Sequence, residues 1–124
     1  TDLFDFAIVN FACPDMVGHT GNLTAAIKDC EAVDECLKKI IPPIIEKGGA
    51  VMITADHGNC EVMQTKDGNV LTEHTTNPVP FVVCLPEATQ LKLQNGILGD
   101  IAPTILALMQ IPTPKEMTGK NLLF

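Results

Sequence analysis

The sequence has 124 residues and a formal net charge of -7, and its eight basic residues are all Lys because it contains no Arg. That balance argues against a basic nucleic-acid face, and a hydrophobic share of 46% argues against a disordered or fibrous chain. The length suits one domain with one core, and no apolar run reaches the roughly 20 residues that span a bilayer. The start, Thr1-Asp2-Leu3-Phe4-Asp5, is acidic where a secretory signal is basic. The expectation is a cytoplasmic protein with neither nucleic acid nor membrane as partner.

In chain order, Phe6 to Ala12 has the composition and length of a strand, ended by Cys13-Pro14. Asp15 to Gly21 reads as a loop containing two glycines. Asn22 is placed to cap a helix. Leu23, Ala26, Ile27, Cys30, Val33, Leu37, Ile40 and Ile41 then recur at spacings of three and four, with charged residues mostly on the other face. Pro42-Pro43 is expected to kink or interrupt this helix, and Lys47-Gly48-Gly49 to end it. Ala50 to Ala55 reads as a short buried strand that stops at Asp56-His57-Gly58. A strand, a long helix and a second strand predict a parallel pair.

Gln64 to Asn69 is turn-rich and reads as a hairpin tip. Glu73 to Pro78 reads as loop, Val79 to Leu85 as a third strand, and Pro86 to Asn95 as a polar connection. Asp100 is expected to cap a last helix, Ile101 to Met109, with Pro103 in its first turn. The tail from Met117 to Leu122 carries no readable chemistry. The five Cys, at 13, 30, 36, 60 and 84, form no C-x-x-C pair and read as reduced, mostly buried small hydrophobes. Met16, Met52 and Met63 read as packing residues, and Glu61 and Glu73 as solvated.

The chemistry concentrates in the three histidines, His19, His57 and His74, each in a polar segment outside the apolar runs. Asp15 lies four residues before His19, and Asp56 is adjacent to His57. Ligands in open α/β sheets bind beyond the carboxyl ends of strands, where both pairs are expected. Imidazole with carboxylate suits zinc, manganese or a similar divalent ion. Five ligands exceed what one catalytic ion with an open position takes, but they suit two ions placed for phosphoryl displacement. Asn10 and Asn59 are candidates for orienting the ligands by hydrogen bonds. Read singly, each of these residues is more often a turn former or a surface side chain. Their joint occurrence is what points to a metal site.

Four runs carry a resemblance to a known family: Asn10 to Gly21, Thr54 to Asn59, His74 to Phe81, and Asp100 to Thr104. In order, spacing and flanking residues they resemble cofactor-independent (2,3-bisphosphoglycerate-independent) phosphoglycerate mutase, a member of the alkaline phosphatase superfamily. The resemblance covers nearly the whole chain. It implies an α/β, alkaline-phosphatase-like three-layer sandwich with a mainly parallel sheet, of which residues 1–124 would be the C-terminal segment. It implies two divalent metal ions, usually manganese in bacterial members. Asp15, His19 and His74 match the ligands of one ion, and Asp56 and His57 match two of the four ligands of the other.

The remaining ligands, the nucleophilic Ser and the substrate-binding Arg and Lys residues belong in that family to the N-terminal half and an inserted domain. Their absence here agrees with the lack of Arg. The implied activity is interconversion of 3-phosphoglycerate and 2-phosphoglycerate through a phosphoserine intermediate, in glycolysis and gluconeogenesis. This segment is expected to be inactive without the rest of the enzyme, which would also supply the site for the small phosphorylated acid. Two departures from the family pattern are Cys13, where Asn is expected, and Pro42-Pro43. The alternatives are another member of the superfamily, such as a phosphopentomutase or a phosphatase, and a metal-free, non-catalytic fragment.

Overall fold

The computed structural model describes residues 4–86 and 91–124. The chain divides into two compact units, Thr1–Pro86 and Glu87–Phe124. The first three residues of the acidic start, and residues 87–90 of the polar connection, lie outside the described residues.

The first unit opens with an extended, exposed stretch and then helix α1 (Cys13–Gly18). The expected strand over Phe6–Ala12 is not formed among the described residues. Its apolar side chains face solvent, with Phe4 80%, Ile8 81% and Val9 62% exposed, and no second strand lies beside it to take up its backbone groups. The expected loop after it is instead helical, because Pro14 occupies a first-turn position where its missing N–H costs nothing.

Helix α2 (Leu23–Glu46) follows. The Asn22 side chain accepts the Ala25 N–H at 3.0 Å, the expected cap. At the other end Gly49 N–H donates to Ile44 O at 2.9 Å and Gly48 N–H to Ile45 O at 3.0 Å. That two-bond closure needs the left-handed backbone Gly48 adopts, at φ 81°. Pro42 and Pro43 do not interrupt α2, which is continuous through them. The bonds these prolines cannot make belong to the carbonyls of Lys38 and Lys39, four residues earlier. All four residues are exposed, so water can satisfy those carbonyls.

Helix α2 packs on α1 and on strand β1 (Val51–Thr54), the strand expected before Asp56. Strand β1 pairs with β2 (Phe81–Cys84), within the strand expected over Val79–Leu85. The register runs from Val51 opposite Cys84 to Thr54 opposite Phe81, and the pair is antiparallel. The expected parallel pair is therefore not present among the described residues, since its first strand is unpaired. Between β1 and β2 the turn-rich segment is the tip of a hairpin. Thr65 N–H donates to Asn69 O at 2.8 Å, and Leu71 N–H to Met63 O at 2.8 Å. Met63 is buried as expected, whereas Met16 is exposed.

In the second unit a 3-10 turn, Leu98–Asp100, leads into α3 (Ile101–Leu108). The Asp100 carboxylate does not cap α3. It accepts the backbone N–H of Ile97 and of Lys120, each at 2.9 Å. The tail carries structure that its sequence does not advertise. Leu123 bridges Leu93, and Leu122 and Leu123 are buried. The buried Thr104 hydroxyl donates to Asp100 O at 2.7 Å and accepts Leu122 N–H at 3.0 Å, tying the tail to α3. The cysteines are free, but Cys13 and Cys30 are exposed and the others half-buried, so they are less buried than expected.

Candidate metal centre

Helix α1 sets the first two ligands. Asp15 and His19 are four residues apart, one helical turn, and His19 N–H bonds Asp15 O at 3.1 Å. Their side chains therefore share a face, and His19 Nε2 lies 3.3 Å from Asp15 Oδ1. The third comes from the loop between the hairpin and β2. His74 Nε2 lies 2.9 Å from Asp15 Oδ1 and 3.0 Å from His19 Nε2. The donor atoms of Asp15, His19 and His74 all fall within 4.8 Å of one another.

The surrounding bonds fix these donors. His19 Nδ1 lies 2.6 Å from the carbonyl of Thr72. A carbonyl only accepts, which assigns the ring proton to Nδ1 and leaves the Nε2 lone pair facing the cluster. Asn59, only 7% exposed, donates through Nδ2 to Asp15 Oδ1 at 2.8 Å and to Asp15 O at 3.3 Å. The Asn59 amide holds the Asp15 carboxyl below the usual carboxylate range. Burial opposes the shift, and His19 and His74 add to it. Gly18 makes room for that amide, because a Cβ there would collide with the Asn59 side chain.

Three electron-rich atoms so close repel one another unless a proton or a cation lies among them. Ligands about 2.1 Å from one ion are separated by roughly 3.0 Å at a right angle and 3.4 Å at the tetrahedral angle. The observed edges of 2.9, 3.0 and 3.3 Å match that range. Two imidazoles and a carboxylate suit a borderline divalent ion, so the residues present fit the implied metal.

The second expected pair is less complete. His57 stacks on His74 with ring centroids 3.7 Å apart. Its Nε2 lies 3.6 Å from Asp56 Oδ1 and 3.9 Å from Asp15 Oδ1. The Asp56 side chain is 87% exposed, and these two residues complete no three-ligand group among the described residues. Asn10 is exposed and makes no bond to the cluster among the described residues. Cys60 donates its thiol to Pro14 O at 3.0 Å, and burial pushes the thiol up, away from the thiolate a metal would need.

Two contributors escape sequence reasoning. Thr72 acts through its carbonyl, which leaves no side-chain signature. Glu61 is exposed but not simply solvated: its Oε1 accepts from the Thr75 hydroxyl and from Asn77 Nδ2, the latter at 3.0 Å. The Thr75 hydroxyl is the main reason its carboxyl lies below the usual range.

The profile of the metalloenzyme superfamily matches residues 1–113. The 2,3-bisphosphoglycerate-independent phosphoglycerate mutases of Clostridium novyi and Clostridioides difficile are 55% and 53% identical to the chain over 124 residues. Each alignment takes in 98% of this chain and 24% of the relative, so the chain spans about a quarter of the length of the curated relatives it matches. A crystal structure of Leishmania mexicana phosphoglycerate mutase at low cobalt concentration superposes with a TM-score of 0.79. It is 32% identical and covers 93% of this chain and 24% of that one. The fold class is thus α/β and alkaline-phosphatase-like, with the small β1–β2 sheet as the part described here. The superfamily match and the three-donor cluster together point to use of a divalent metal. No helix among the described residues is long and apolar enough to cross a membrane.

Proposed function

The chain belongs to the metalloenzyme superfamily, and on that premise we propose that it is the C-terminal, metal-binding segment of a cofactor-independent phosphoglycerate mutase. The enzyme would be a cytoplasmic isomerase of glycolysis and gluconeogenesis, interconverting 3-phosphoglycerate and 2-phosphoglycerate. In this reading Asp15, His19 and His74 hold one manganese ion, and Asp56 and His57 contribute to a second. The observation that carries it is the convergence of Asp15 Oδ1, His19 Nε2 and His74 Nε2. The names of the relatives supply the reaction.

A bound divalent cation supplies charge stabilisation for phosphoryl oxygens. The chain's own residues prepare the place for it. Asp15 brings the negative charge, and Asn59 orients that carboxylate. Thr72 fixes the tautomer of His19, and His57 backs the ring of His74. The sequence contains neither Ser nor Arg, so the phosphoryl-accepting hydroxyl and the guanidinium clamps for the substrate come from the remainder of the enzyme, through a phosphoserine intermediate.

Calorimetric titration with manganese tests the reading. The chain is expected to bind the ion, and His74→Ala to weaken binding at least tenfold. Unchanged affinity in that variant removes His74 from the site and the reading with it.

A further inference from the structure

We infer that Glu61 is a positioning residue for the metal centre: its carboxylate fastens the loop bearing His74 to the loop bearing His57 and Asn59, and so aims His74 Nε2 at Asp15. The inference rests on the reading of Asp15, His19 and His74 as a cation site, and goes beyond it by assigning a role to a residue outside the ligand set.

His74 lies on an exposed loop between the hairpin and β2. One backbone bond, Thr75 N–H to Gly58 O at 2.8 Å, ties the loop to the segment after β1. Glu61 adds the side-chain tie. It stands four residues after His57, inside a turn closed by Val62 N–H and Asn59 O at 3.2 Å. Its Oε1 receives the Thr75 hydroxyl and Asn77 Nδ2, so one carboxylate oxygen grips both sides of the bend that follows His74. The Thr75 hydroxyl in turn accepts Asn77 N–H at 3.3 Å.

The buried Gly58 is the floor of this clamp. A Cβ there would collide with both the Thr75 hydroxyl and the Glu61 carboxylate. The close approach of the two loops therefore depends on a residue without a side chain. None of Glu61, Thr75 and Asn77 touches the donor atoms, and together they settle where one of them points.

The test uses the full-length protein that contains this sequence, titrated with cobalt(II), whose visible absorption reports ligand geometry. Glu61→Ala and Thr75→Val are expected to weaken cobalt binding ten- to a hundredfold and to alter the absorption band. Glu61→Gln keeps an acceptor oxygen and is expected to stay within about threefold of the parent. Thr75→Val, the smaller change, serves if Glu61→Ala does not fold. Parent-like affinity and spectrum in Thr75→Val and Glu61→Ala overturn the inference, as does an equal loss in Glu61→Ala and Glu61→Gln, which would indicate a plain charge effect. His74→Ala runs alongside. If it binds cobalt as the parent does, the cation-site reading fails first; if it loses binding while the Glu61 variants do not, only the positioning role fails.

Discussion

His19 and His74 stand 55 residues apart in sequence, and their Nε2 atoms face each other at 3.0 Å. With the His19 proton committed to the Thr72 carbonyl, the His19 Nε2 lone pair faces His74, and a proton on His74 Nε2 or a cation fills the place between the rings. A ligand that binds only the folded state stabilises it by mass action. Manganese at one hundred times its dissociation constant is expected to stabilise the chain by about 2.7 kcal/mol. A thermal melt with manganese and then with excess chelator checks this, and equal melting temperatures in the two would contradict it.

Gly18 and Asn59 form the second dependency. Any side chain at Gly18 displaces the amide that orients Asp15. Gly18→Ala is expected to cost about 1–3 kcal/mol of stability through overpacking and to weaken metal binding in the same variant. Denaturant melts and metal titration read the two effects separately.

Asp100 governs the acid stability of the second unit. The backbone N–H groups of Ile97 and Lys120 hold its carboxyl below the ordinary value, against the burial that would raise it. A carboxyl with a lowered folded pKa contributes stability that is complete above its unfolded value and is lost as pH falls through the folded one. The loss is therefore expected below about pH 4. Amide exchange at Lys120 and Ile97 should accelerate there, and Asp100→Asn should flatten that pH dependence while being less stable near neutral pH.

Pro42 and Pro43 leave the carbonyls of Lys38 and Lys39 without helical partners. Replacing either by Ala restores a bond and improves helix propensity, partly offset by a more flexible unfolded chain. Each of Pro42→Ala and Pro43→Ala is expected to stabilise α2 by about 1–2 kcal/mol, well short of the full propensity difference of about 3. Melting temperature measures it, and a decrease would show that the prolines are accommodated at no cost.

Much of the site was legible because its residues are chemically distinctive. Three histidines and Asp15 stand out of polar segments by type, the family resemblance groups Asp15 with His19 and His74, and the structure brings the donor atoms of those three within 4.8 Å of one another. The helix α2, its Asn22 cap and its glycine ending were legible because each leaves a local pattern. What was illegible depends on partners distant in sequence. The spacing of Asp15 and His19 already fitted one helical turn, yet the glycines around them suggested a loop. Strand composition over Phe6–Ala12 states what the residues favour, whereas a strand needs a neighbour, and none is paired with it among the described residues. Glu61 looked like any surface acid, because Thr75 and Asn77, which give it a role, lie 14 and 16 residues away.

Taken by itself, this polypeptide presents an exposed stretch from Phe4 to Asn10. Open backbone groups flanked by Phe4, Ile8 and Val9 are a template for pairing with any passing strand. Quality-control machinery also surveys such segments, holding them or degrading them. Produced by itself, the polypeptide is expected to need chaperone protection and to turn over quickly, whatever the state of its metal ligands. A lysine in place of Ile8 would prolong its life by making that template unattractive.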